Sequence, residues 1–160
     1  MSKTATPPPL PEPGEGKRGE DGHFGYLLRQ AANAHRTRVD QALGDLQITH
    51  PQFSVMTMLD AYPGHSNADL ARLALLTPQT MSVIVANLLK SGIVERRAHE
   101  VHGRIQHLAL TDHGGQLLIE AKKRVYALED VMLADVPPEA RATIKSWLTK
   151  VAKGSDPASG

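Results

Sequence analysis

Between Thr77 and Lys90 the chain carries side chains suited to reading nucleic-acid bases: Thr77, Gln79, Thr80, Ser82, Val83, Ala86, Asn87 and Lys90, with no carboxylate among them. Gln and Asn amides can bond adenine edges bidentately, Ser and Thr hydroxyls reach bases or phosphates, and a Val or Ala can touch a thymine methyl. An ordinary solvated helix face would carry Glu and Lys pairs instead. A little further on, Arg96, Arg97 and Arg104 gather on a short ribbon. Arginine on a thin protrusion suits a narrow, electronegative minor groove or flanking phosphates. Taken alone those arginines fit plain surface charge equally well; beside the acid-free stretch they read as part of one nucleic-acid footprint.

The elements that hold these residues follow from local chemistry. Thr77 is a good N-cap, Pro78 suits the first helical position, and Gly92 stands where a helix stops in a left-handed cap. Between them Met81, Ile84, Val85 and Leu88 recur at i, i+3, i+4 and i+7, a core-facing stripe that leaves the polar set outside. Past Gly92 the period changes. Ile93–Ala98 and Ile105–Leu110 are short β-branched or apolar runs around His-Glu-Val-His-Gly-Arg, predicting a hairpin with its tip near His102-Gly103. Upstream, Ser66 and Asp69 open a short helix carrying Leu70, Leu73 and Ala74. Thr49 and Gln52 form a capping box for another helix through Phe53, Val55, Met56 and Leu59, ended by Tyr62-Pro63-Gly64. The expected fold is mainly α with a small β wing: a winged helix-turn-helix.

In its order of motifs the chain resembles the MarR family of transcriptional regulators from about Phe24 to Val151. The resemblance is carried by the Pro-Gln before the Phe53 helix, Leu70-Ala71-Arg72, Thr77-Pro78-Gln79-Thr80, Gly92-Ile93-Val94-Glu95-Arg96-Arg97 and Leu110-Thr111-x-x-Gly114. It implies an obligate homodimer with one recognition helix and wing per subunit, usually a repressor released from its operator by a small molecule. At the wing tip the usual Asp-Arg-Arg is here Val101-His102-Gly103-Arg104, so only Arg104 carries over.

Three long helical stretches flank the lobe: Phe24–Leu46, Thr111–Ala134 and Pro138–Val151. Their apolar surface exceeds what a small winged domain covers, and pairing with a second copy would bury it and set two recognition helices about one DNA turn apart. On the first of them Leu28, Ala31, Ala32, His35, Val39, Ala42 and Leu46 form an apolar stripe with His35 its only polar member. Such a histidine is more often a core residue held by one hydrogen bond than a ligand group. Gly25-Tyr26-Leu27-Leu28-Arg29 with His35, however, resembles a MarR subgroup that recognises phenolic or aromatic carboxylic acids. The resemblance implies that Arg29 meets the ligand carboxylate, as a guanidinium can do bidentately, and that His35 flanks the ring. Six helical residues set the two about 120° apart and about 9 Å along the axis, so they would hold opposite ends of a ligand. Arg36 and Arg38 compete for the same charge role.

The remaining features bound the function. A chain of 160 residues buries one core, and no apolar run has the length of a membrane span or the character of a signal peptide, so a cytoplasmic protein is expected. There is no cysteine, which excludes disulfides and thiol-based sensing. The formal net charge is +1, and Ser66 to Thr111 holds five Lys or Arg against three Asp or Glu, so DNA binding must rest on local rather than bulk charge. His99, His102, His107 and His113 raise a metal, but a hairpin tip is a poor closed site and no thiolate joins them; no metal and no cofactor is expected. No catalytic motif stands out, and the protein is not expected to be an enzyme. Residues 1–21, with Pro7, Pro8, Pro9, Pro11 and Pro13, read as a disordered tail, 22–153 as one domain (49–111 the winged lobe, 22–46 and 111–152 the dimerisation helices), and 154–160 as a second tail. The competing function is a winged domain used for protein contact or nonspecific DNA coating; an apolar recognition face would suit the first, a larger basic excess the second.

Overall fold

The computed structural model describes residues 8–98 and 106–154. Six helices and a two-stranded hairpin run in the order α1 (Phe24–Leu43), α2 (His50–Ala61), α3 (Asn67–Leu73), α4 (Pro78–Lys90), β1 (Val94–Ala98), β2 (Gln106–Leu110), α5 (Asp112–Met132) and α6 (Pro138–Lys153). The mainly α architecture with a β wing is as expected. Arg104 and the hairpin tip, including His99 and His102, lie outside the described residues.

Local chemistry sets the helix starts. The Thr49 hydroxyl accepts from the Gln52 N–H while the Gln52 side chain accepts from the Thr49 N–H, a complete capping box with Pro51 in the first turn. Ser66, Thr77 and Thr111 accept from Asp69, Thr80 and Gly114 N–H groups in the same way. At the ends two expectations shift. The first long helix stops at Leu43, and Gly44–Leu46 tightens into a 3-10 turn before Gln47 turns left-handed at φ 57°. The first strand begins at Val94, because the Ile93 N–H is already used in donating to the Leu88 carbonyl (3.0 Å) to close α4.

One hydrophobic core joins these pieces. Val39 and Leu43 of α1, Phe53, Val55, Met56 and Leu59 of α2, Leu70 and Ala71 of α3, and Met81, Ile84, Val85 and Leu88 of α4 meet Ile93, Val94 and Leu108 of the hairpin and Leu118, Ala121 and Val125 of α5. Among the described residues no polar or charged residue is buried. The four apolar positions expected inward on α4 are all in this core. The stripe expected on α1 is covered only at its C-terminal end: Val39 is buried, whereas Ala31 and Ala32 are exposed. Leu43, outside that stripe but one turn beyond Val39, is buried in the same core.

Ion pairs staple α5 to the lobe and to the turn that follows α1. Lys122 Nζ lies 2.5 Å from Asp60 Oδ2 on α2, and Arg124 bonds Asp45, Glu120 and the Ala42 carbonyl. α6 contributes no buried residue, and Ile144, Trp147, Leu148 and Val151 on it are exposed. No single helix among the described residues is long and apolar enough to cross a membrane.

Candidate nucleic-acid interface

α3 and α4 meet at a bend of 106°, which lifts α4 away from α3 as a separate rod. The turn is made by a left-handed residue. Leu75 has φ 58°, its N–H donates to the Arg72 carbonyl (3.2 Å), and the Leu76 N–H donates to the Ala71 carbonyl (2.8 Å), the double closure of a Schellman end. The same device closes α4 at Gly92, φ 70°, through bonds to the Leu89 and Leu88 carbonyls. Leu75 pays about 1–2 kcal/mol for a conformation that Gly92 adopts without penalty, and its side chain is 92% exposed. Leucine gives no sequence signal for such a turn.

With its four apolar residues inward, α4 presents Gln79, Thr80, Ser82, Val83, Ala86, Asn87 and Lys90 to solvent, and Thr77 at its cap is exposed too. The hydroxyls are partly committed. Thr77 Oγ1 donates to Thr80 Oγ1 (2.9 Å), and Ser82 Oγ donates to the Pro78 carbonyl (2.9 Å), leaving lone pairs outward. The Gln79 and Asn87 side-chain amides make no hydrogen bond among the described residues, and both residues are exposed, leaving their donors and acceptors to solvent. Gln79, Val83, Ala86 and Lys90 follow one line along a helix of 13 residues, about 20 Å long, thin enough for a groove about 12 Å wide.

The wing separates its arginines. Cross-strand pairing sets Arg96 opposite Leu108 and Arg97 opposite His107, so alternation sends the two to opposite faces. Arg97 Nε lies 2.6 Å from Glu95 Oε1 on one face. Arg96, on the face shared with the buried Leu108, borders a cleft of about 310 Å³ with His65, Ser66 and Asn67 at the start of α3. One of the two is therefore already neutralised within the chain.

The base of the wing is joined rigidly to α5. The Thr111 N–H donates to the Ile93 carbonyl (3.1 Å), and its hydroxyl donates to the Gly92 carbonyl (2.7 Å) while accepting from the Gly114 N–H (3.0 Å). Gly114 sits so close that a Cβ there would collide with the Ile93 carbonyl. A glycine in the first turn of a helix forgoes about 1 kcal/mol against alanine, and this contact is the reason.

The two ligand candidates on α1 are not brought together. Arg29 is exposed, its guanidinium 5.9 Å from the Tyr26 ring centroid, and borders an open groove of about 870 Å³ with Tyr26, Gln30, Asn33, Arg38 and Met132. His35 turns instead toward α2, edge-on to His50 at 6.2 Å, and is half-buried. The His50 N–H donates to Asp40 Oδ1 (2.7 Å). Burial lowers the His50 pKa from its ordinary value, the Asp40 carboxylate opposes that, and His35 and Arg36 reinforce it. Arg36 borders a second groove of about 550 Å³ with Asp40, Gln47 and Thr49, and Arg38 shares the groove of Arg29. The polar line Tyr26, Gln30, Asn33, Thr37 that floors the larger groove was legible as an i, i+4, i+7, i+11 spacing but escapes a search for charges and apolar stripes. Among the described residues no three His, Asp or Glu side chains are placed to share a metal ion.

Comparison with known proteins places the site within a family pattern. The MarR family profile matches residues 48–105, a span that includes α4 with its solvent face and Arg96, Arg97 and Arg104. The HTH-type transcriptional repressor Rv2887 of Mycobacterium tuberculosis is 36% identical over 137 residues, covering 86% of this chain and 97% of that one. The solved structure of the same protein in complex with DNA aligns at 32% identity with a TM-score of 0.66, over 84% of this chain and 100% of that one. Its complex with salicylic acid aligns at 35% identity and a TM-score of 0.67, over 82% and 98%. A transcriptional repressor named CouR, bound to a 23-mer DNA duplex, is similar at 27% identity and a TM-score of 0.74, over 82% and 94%.

Proposed function

This chain belongs to the MarR family, and from that premise we propose that it is a ligand-responsive transcriptional repressor, reading a pseudo-palindromic operator as a homodimer and released by a small aromatic carboxylate. The carrying observation is the solvent face of α4, which is polar, free of acids and offers two unengaged amides. Base reading falls to Gln79 and Asn87, with Val83 and Ala86 available to thymine methyls and Thr77, Thr80, Ser82 and Lys90 to the flanking backbone. Arg96 and Arg104 serve the wing, and Arg97 does so only by giving up Glu95.

Dimerisation is supported by α6, whose apolar residues find no cover in one chain, and by Phe24, 80% exposed although its ring lies 6.3 Å from Trp147. The division of labour is then a winged lobe over 49–111 and dimerisation helices over 22–46 and 111–152. For the effector, Arg29 beside Tyr26 offers a guanidinium and a ring at one groove, and the salicylic acid complex of the Mycobacterium tuberculosis protein shows that a relative of this fold accepts such a compound. His35 lies too far round α1 to share that groove and acts from the α2 side.

A protein-contact domain would need an apolar recognition face, which α4 lacks. The deciding experiment compares a selected operator with random DNA. Gln79→Ala and Asn87→Ala are expected to cost about 1–3 kcal/mol on the operator and almost nothing on random sequence. Equal losses on both would assign these amides to the backbone and remove base reading from α4.

A further inference from the structure

Ahead of α1 the chain makes a compact structure where composition suggests only a spacer. Gly14, Gly16, Gly19 and Gly22 fall within nine residues, which ordinarily marks flexibility. Here each is required by the fold. Gly14 and Gly16 are left-handed at φ 98° and 47°, a Cβ on Gly19 would collide with the Gly14 carbonyl, and one on Gly22 would collide with the Lys17 carbonyl. Together they wrap a 3-10 turn, Gly16–Arg18.

That turn is fastened to α1 by one residue pair. Arg18 Nε donates to Gln30 Oε1 (3.3 Å), Gln30 Nε2 donates back to the Arg18 carbonyl (3.0 Å), and Arg18 Nη1 donates to the Pro11 carbonyl (2.8 Å). The Tyr26 hydroxyl donates to the same Gln30 oxygen (3.4 Å). The fastening is thus continuous with the floor of the groove that Arg29 borders, and Pro13 and Arg18 form part of its wall. Arg18, Arg29 and Arg38 line the groove, and no carboxylate does: Glu12, Glu15, Glu20 and Asp21 of the arm lie outside its lining. The groove therefore favours an anion with a flat apolar body: the guanidinium of Arg29 for the carboxylate, Tyr26 and Met132 for the ring.

We propose that the arm Pro11–Gly22 is the latched outer wall of this effector groove, closing on a bound aromatic monocarboxylate, with Arg18 as its positioning residue. The inference rests on the effector reading given above. The arm buries none of its own residues and hangs on a handful of partly exposed bonds, which puts it among the segments that open most readily. Ligand enters when the Arg18 to Gln30 pair parts and is retained when it re-forms.

The test titrates salicylate calorimetrically into the full-length protein and into Arg18→Ala, Gly19→Ala and Arg29→Ala, with thermal unfolding as a control for folding. Gly19→Ala disrupts the arm while keeping every groove side chain, so it reports the arm's shape alone. Both arm variants are expected to bind salicylate about tenfold more weakly. Salicylate is also expected to slow tryptic cleavage after Lys17 and Arg18 in the wild-type chain, and to have no such effect in Gly19→Ala. Unchanged affinity in both arm variants, with no protection from trypsin, overturns the latch; if Arg29→Ala still abolishes binding, the effector reading survives it. Salicylate binding that is absent throughout, or indifferent to Arg29→Ala, removes the effector reading and the latch with it.

Discussion

The winged lobe and the outermost helical surface, α6 with the N-terminal half of α1, are built by opposite rules. Within the lobe each helix from α2 to α4 starts on a side-chain cap, α3 and α4 end in Schellman turns, and their apolar stripes close on one another in a single core. α6 has no side-chain cap and buries nothing, and the N-terminal half of α1, likewise uncapped by a side chain, contributes no fully buried residue. A lobe whose core is completed by α5 and the end of α1 can be carried with them as a unit; helix faces left open acquire their cover from something else. The lesson is that self-sufficiency is concentrated where geometry must be kept and withheld where assembly is needed.

The contrast can be broken from either side. The largest effect is expected on the open side, where Trp147→Asp places a charge in the proposed dimer surface. A central aromatic anchor contributes about 2–4 kcal/mol, so self-association measured by sedimentation should weaken 30- to 1,000-fold while the lobe unfolds at its usual temperature. Retained dimers would mean that α6 is not the shared surface. On the closed side, Gly114→Ala drives a methyl into the Ile93 carbonyl and should cost about 3 kcal/mol in a urea titration, among the larger single-residue losses. A neutral result would show the joint between α4 and α5 to be loose. The smallest effect sits at the seam, where α1 meets α2 through His35 and His50. The His50 pKa in the folded chain lies below its unfolded value of about 6.5, so the folded state binds fewer protons in that window. Stability is complete above about pH 6.5 and declines as pH falls through it. His50→Gln should flatten that decline in denaturant midpoints taken between pH 7.5 and 5.5; an unchanged slope would place the titration elsewhere.

Much of the lobe is legible in the sequence because its signals are local. Thr49 with Gln52, Thr77 with Pro78, Gly92 and Thr111 each state a helix boundary within four residues, and Met81, Ile84, Val85 and Leu88 state the inward face of α4. What escaped depends on contacts distant in the chain or on a residue acting against its preference. Leu75 turns left-handed because the approach of α3 to α4 imposes it, Arg96 and Arg97 part company because strand register decides their faces, and Gly114 is needed only because Ile93 lies against it. On α1 the spacing between Arg29 and His35 correctly indicated different directions, but which groove each would meet was set by the arm and by α2.

The joint at Thr111 and Gly114 makes α5 a handle. From Gly114 to Val125 the helix is bonded to the end of α4, to Asp60 and to Asp45, so these parts turn together; beyond Val125 it projects for seven further residues to Met132, on the rim of the groove beside Arg29. Leverage follows from length alone. Pivoted near Val125, a tilt of about 10° displaces the joint, about 16 Å away, by about 3 Å. A base-edge hydrogen bond tolerates only a few tenths of an ångström. Torque applied at the far end of α5 therefore arrives at α4 undiluted, and a modest push there is enough to shift Gln79 and Asn87 by more than a hydrogen bond tolerates.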